Sequence, residues 1–173
     1  MQETTTYTQT SIRTFTGKAF DLRIMDPDTI CIEDIAHALA HTARFGGHLQ
    51  RLYSVAQHSV YACTLVSREL QLAALLHDAA EAYLGDMPSP FKNMLPDFRK
   101  LEAKLMTVIA DKYGFEYPLH PNIKRADVVM FQREWGNFVT GERNSLYYMS
   151  PMDAERLFLT TYKSIIKNQK TTA

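Results

Sequence analysis

From Leu70 to Glu81 the chain reads LQLAALLHDAAE, and no other stretch restricts its fold as strongly. Leu70, Leu72, Ala73, Ala74, Leu75 and Leu76 make a helix that is apolar on every side, and such a helix is stable only when other elements surround it. Ser67 is placed to cap it and Gly85 to end it, so the pattern predicts one buried helix over residues 67–85 at the centre of a helical domain. His77, Asp78 and Glu81 follow directly on the apolar run. A carboxylate moved without partners into an apolar interior is disfavoured by several kcal/mol, so Asp78 requires a cation, an ion pair or a route to water. A helix end that reaches solvent is the plain alternative, because a lone His-Asp dipeptide is a weak signal.

Helical periodicity supplies the surrounding elements. Ile32, Ile35, Ala36, Leu39, Ala40 and Ala43 share one face, and Gly46-Gly47 marks the stop. Ser54 followed by Gln57 reads as a capping box before Val55, Ala62, Cys63 and Val66, with His58 in the first turns. Residues 85–96 are rich in Gly, Pro, Ser and Asn and predict a loop, before a helix over about 97–113 that ends at Gly114. A Pro-rich link at 118–121 precedes a helix over about 123–138, and Ser150-Pro151 with Asp153 opens a last helix closing near Lys167. Residues 13–22 carry β-branched and aromatic residues around Gly17, a short hairpin or an extended arm. The expected architecture is an all-α bundle of about six helices with a short extended N-terminal arm. Its 173 residues suffice for one domain, divided into an arm at 1–31, a catalytic core at 32–138 and a C-terminal helical segment at 139–173.

Lys plus Arg number 19 and Asp plus Glu number 19, so no general field draws the chain toward nucleic acid or anionic lipid. Any phosphate binding has to come from a local site. Cys31 and Cys63 form no CxxC pair, the first ten residues lack the apolar core of a secretory leader, and no run of about 18 apolar residues occurs. The expectation is a soluble cytoplasmic protein with free, buried thiols.

The helix over 123–138 carries a second polar interruption. Its apolar stripe is Ile123, Ala126, Met130, Phe131 and Phe138, and Asp127 falls within it at helical spacing. An ion pair with Arg44 or Arg133 would be a structural explanation. His58 beside Val55 and Ala62 would, alone, be an ordinary hydrogen-bonded core histidine. Together, His58, His77, Asp78 and Asp127 make a ligand set of two imidazoles and two carboxylates, which suits one Mn, Co, Zn, Fe or Ni ion better than Mg or Ca. Adjacent residues on a helix point about 100° apart, so His77 and Asp78 would both border an ion lying in a groove between helices. Four protein ligands leave positions open for water and substrate.

The order His58, His77-Asp78, Asp127 resembles the H…HD…D signature of the HD-domain metal-dependent phosphohydrolase superfamily. The segments SVAQHS (54–59) and LLHDAAEAYLGDMPSPFK (75–92) are most similar to small bacterial and phage nucleotide phosphohydrolases of the 5′-deoxynucleotidase kind, over about residues 32–138. The resemblance implies that Glu81 and Asp86 work at the active site, and that Arg44 and Phe45 bind the phosphate and face the sugar or base. The interval from His58 to His77 is shorter than in the 5′-deoxynucleotidases, and Phe45 stands where they carry tryptophan, so base preference does not transfer. By this reading the metal brings water acidity toward neutrality, and Glu81 and Asp86 divide between them the tasks of orienting the attacking water, shuttling its proton and protonating the leaving oxygen, with the division left open. Lys92 is either a point charge for the phosphate or an ordinary surface cation.

His37 and His41 flank the apolar stripe of their helix, with Ala38 where a zincin motif has glutamate, and read as surface or interface residues. His48 lies close enough to Arg44-Phe45 in sequence to touch a phosphate, and His120 between two prolines reads as a turn residue. Trp135, Tyr147 and Tyr148 read as core or dimer-contact aromatics. The expected activity is hydrolysis of the 5′-phosphate of a deoxynucleoside monophosphate. The alternatives are a triphosphohydrolase that releases triphosphate from a deoxynucleoside triphosphate such as dATP, and a non-catalytic nucleotide-sensing module. The expected partners are the nucleotide and further copies of the chain, as a homodimer or higher homo-oligomer.

Overall fold

The computed structural model describes residues 7–142 and 146–170. Alternation and a glycine turn make the arm a hairpin: β1 (Ser11–Arg13) pairs antiparallel with β2 (Ala19–Asp21), Ile12 opposite Phe20. Gly17 in the turn has φ +89°, a backbone open to glycine at little cost. Phe20 is fully buried, so the arm seals the core.

Eight α-helices follow among the described residues: α1 (Ile32–His41), α2 (Val55–Cys63), α3 (Gln71–Leu75), α4 (Glu81–Leu84), α5 (Ser89–Met94), α6 (Pro96–Tyr113), α7 (Pro121–Glu134) and α8 (Pro151–Lys170). The helical class expected from the sequence is what the chain adopts. The central element is α2, which packs against α1, α3, α7 and α8. Ser54 caps it by accepting from the Gln57 amide at 3.2 Å, as the capping pattern predicts. Every residue of α2 except Tyr61 is buried, including Gln57, His58 and Ser59.

The single helix expected over 67–85 is broken. Residues 68–70 form a 3₁₀ turn, α3 ends at Leu75, and a turn over 76–80 separates it from α4. Backbone bonds from Ala79 N to Leu76 O and from Glu81 N to Asp78 O span three residues and tighten the chain. His77 Nδ1 takes the Ala74 carbonyl at 2.7 Å, an acceptor a continuing helix would use for its own ladder. The other boundary corrections have local causes. Residues 85–96 are not all loop, because Pro88 and Pro90 initiate α5. The helix over 123–138 starts earlier, where His120 Nδ1 accepts from the Asn122 amide at 3.2 Å, and passes at Trp135 into a π-helical turn, Trp135–Val139. Phe131, assigned to the buried stripe, is exposed, as are Trp135 and Tyr147, so none of the three is a core aromatic.

Cys31 and Cys63 are free thiols. Cys63 is buried, and burial pushes its pKa up to about 11, while Cys31 is only half-buried. No helix among the described residues is long and apolar enough to cross a membrane.

Candidate metal centre

Three elements converge here: α2, the turn after α3, and α7. His58 comes from the first turn of α2, His77 and Asp78 from the turn after α3, and Asp127 from the second turn of α7. The break after Leu75 matters here, because on a continuous helix His77 and Asp78 would diverge by about 100°. In the turn they meet, with His77 Nε2 3.2 Å from Asp78 Oδ2. His58 Nε2 lies 3.2 Å from Asp127 Oδ1 and 3.8 Å from Asp78 Oδ2, while His77 Nε2 lies 3.9 Å from Asp127 Oδ1.

The two imidazoles face each other, Nε2 to Nε2, at 3.3 Å. Their other nitrogens are committed as donors. His58 Nδ1 donates to Glu134 Oε1 at 2.6 Å, and His77 Nδ1 donates to the Ala74 carbonyl at 2.7 Å. Each bond fixes a tautomer whose lone pair sits on Nε2, as the hydrogen bond on the far nitrogen does for a metal-ligating histidine. Two lone pairs therefore stand close to two carboxylate oxygens, an arrangement that a cation would stabilise. His58, His77 and Asp127 form a group that can hold a metal ion, one ligand atom from each lying within 4.8 Å of the others. Asp78 stands within 4 Å of both histidines but is not part of that group.

Without an ion a proton performs this task. Burial works against charge on His77, but the charge of Asp78 and the contacts with Asp127 and Asp78 hold its pKa well above the ordinary imidazole value. Burial likewise opposes ionisation of Asp78 and Asp127, and the histidines outweigh it, so both stay well below the usual carboxylate range.

Glu81 and Asp86 show the opposite behaviour. Burial, then the charges of Asp78 and Asp86, drive the Glu81 pKa well above the ordinary value. Asp86 is also raised by burial, with Arg44 and Lys92 restraining the shift. Glu81 is 5% exposed, and its Oε2 has no hydrogen-bond partner among the described residues, while Oε1 accepts from Lys92 Nζ at 2.9 Å. Lys92 also reaches Glu102 at 2.6 Å, so its ammonium is held between two carboxylates and is not a free surface cation.

Arg44 is beside the centre but engaged. Its Nε and Nη2 donate to Glu134 Oε2, each at 2.9 Å, and Nη1 lies 3.9 Å from Asp78. The ion pair considered for Asp127 is made instead by Glu134, a residue the sequence reading passed over. Glu134 is fully buried and sits seven positions after Asp127, on the face of Ile123, Ala126 and Met130. That spacing was its available signal. Phe45 has φ +57° and packs near Phe131 and Trp135, at 5.8 and 6.3 Å between ring centres.

No family model matches the chain. Over 124 residues it is 39% identical to an uncharacterized protein of Rhodobacter capsulatus, covering 66% of this chain and 63% of that protein. Over 123 residues it is 45% identical to the uncharacterized protein YfdR of Escherichia coli (strain K12), covering 71% of this chain and 69% of that protein. At that identity and coverage the chain belongs to the family of YfdR.

Proposed function

We propose that the chain is a metal-dependent phosphohydrolase of the HD-domain type, acting on the 5′-phosphate ester of a deoxynucleoside monophosphate. The observation that carries this reading is the meeting of two tautomer-fixed imidazoles with Asp78 and Asp127, beside two carboxyl groups whose pKa values are raised. Asp78 completes the ligand set with His58, His77 and Asp127. When bound, a divalent transition ion supplies Lewis acidity and brings the acidity of water toward neutrality.

The remaining chemistry belongs to side chains. Glu81 is held at one oxygen by Lys92, which leaves the other to exchange a proton with water or with the departing oxygen. A group whose pKa is raised toward the working pH does this best, and carboxyls driven one way beside carboxyls driven the other separate proton carriers from ion ligands. Arg44 offers a guanidinium edge beyond Glu134 for a phosphate, and Phe45, with the aromatic rings next to it, supplies an apolar wall for a sugar or base.

The test is product analysis with deoxynucleoside mono- and triphosphates in the presence of Mn or Co. Phosphate release from a monophosphate supports the proposal. Triphosphate release redirects it to the triphosphohydrolase reaction, and binding without turnover indicates a sensing module. Asp78→Ala should lose both metal and turnover, and native turnover in that variant would refute the assignment.

A further inference from the structure

A second group of ligand-type side chains lies on another part of the fold. His37 and His41 are one turn apart on α1, and Glu155 of α8 faces them, one ligand atom of each lying within 4.8 Å of the other two. His37 Nδ1 and Glu155 Oε2 are 3.0 Å apart. His41 Nδ1 donates to the His37 carbonyl at 2.8 Å, so the nitrogen left to bind a cation on that ring is Nε2.

The His37 ring is packed against two other rings. Phe15 stacks on His37 at 3.8 Å with the planes 9° apart, and His41 packs on it at 4.3 Å. The hairpin that carries Phe15 is tied to α1 by Asp34, which accepts from the Thr16 amide at 2.7 Å and the Thr16 hydroxyl at 2.8 Å. The His37 ring is thus fixed by three elements: the arm, its own helix and α8. A lone surface histidine needs none of this.

We propose that His37, His41 and Glu155 bind a divalent transition ion, with zinc as the best-matched class, clamping α1 to α8 apart from the central site. Two nitrogens and one carboxylate suit zinc, nickel or copper and not magnesium or calcium. Ligands about 2.0–2.1 Å from zinc stand about 3.4 Å apart along a tetrahedral edge. The His37–Glu155 pair already has about that spacing, so the exposed His41 ring makes most of the adjustment. On binding, the neutral His37 ring carries its one proton on Nε2, exchanged through solvent from Nδ1, so that the Nδ1 lone pair is free for the ion. Three protein ligands leave one position for water.

The experiment is zinc titration of the chelator-stripped full chain against a chromophoric competitor, reading stoichiometry and affinity. The native chain should bind one zinc more than His41→Ala, and His77→Ala should retain that zinc. Glu155→Gln preserves shape and should weaken the site by about tenfold or more. His41 is exposed, so its loss should leave the unfolding midpoint of the zinc-free chain unchanged, which separates ligand loss from misfolding. Equal stoichiometry and affinity in native and His41→Ala protein would overturn the proposal. If the central site took no zinc, the native chain would bind one ion and His41→Ala none, so the two sites succeed or fail separately.

Discussion

Glu134 acts at two places with one carboxylate: Oε1 sets the His58 tautomer, and Oε2 neutralises the buried fork of Arg44. Glu134→Ala leaves the largely buried Arg44 with the more distant Asp78, 3.9 Å from Nη1, in place of its close carboxylate partner, and should cost about 3 kcal/mol in urea unfolding. Glu134→Gln keeps the shape but weakens the hold on His58, and should lower metal affinity about 10–100-fold in a chelator competition. Glu81 gives a pH signature. Its pKa is raised above the ordinary 4.5, so the folded chain holds this proton more tightly than the unfolded one does. The stabilisation is complete below about 4.5 and is lost as pH rises through the raised value. In chelator, melting temperature followed against pH should fall more steeply for the native chain than for Glu81→Gln, with the two curves converging at acid pH. At this scale the polar interruptions were legible: His58, His77, Asp78 and Asp127 stand out because each disturbs an apolar pattern. Glu134 sent the same signal, but its partner Arg44 lies 90 residues earlier, and no local pattern joins them.

Element boundaries were legible wherever a cap defines them. Ser54 starts α2, and Gly114, with φ +74° and its amide bonded to Ala110 O at 2.8 Å, ends α6. Ser54→Ala removes the bond to the Gln57 amide and should cost about 1 kcal/mol by thermal unfolding. His58 is one turn beyond that cap, so fraying there should also weaken metal binding in the same titration. The turn after α3 was not legible. Residues 76–80 contain no Gly, Pro or Asn, and in isolation LHDAA would continue a helix. What breaks it is one local bond and two tertiary contacts: the His77 side chain captures the Ala74 carbonyl, Asp78 approaches His58 of α2, and His77 approaches Asp127 of α7. Local propensity is outweighed at the position where the chemistry is concentrated, which is where such conflicts are expected.

Across the molecule, the candidate ligands come from positions 58, 77, 78 and 127 and meet only when the helices are assembled, so under the proposed function ion loading and folding are one linked equilibrium. At an ion concentration of about 100 times Kd the linkage is worth about 2.7 kcal/mol, and stripping the ion should lower the melting temperature by roughly 5–10 °C. Scanning calorimetry with and without chelator measures this. The helical class and the helical positions of His58 and Asp127 were readable because periodicity is local, while His77 and Asp78 lie in a turn that it did not show. The role of the arm was not, since it depends on a contact across more than sixty residues. Phe20 lies 4.3 Å from Tyr83, and Tyr83 is two positions beyond Glu81. The hairpin therefore backs the helix that carries Glu81, the proton carrier of the proposed reaction, and supplies none of the candidate ligands of the central site. Phe20→Ala should cost about 3–5 kcal/mol, and the surviving folded protein should bind its full complement of metal while turning over slowly. Damage to the wall would register as a fault in the machinery it supports.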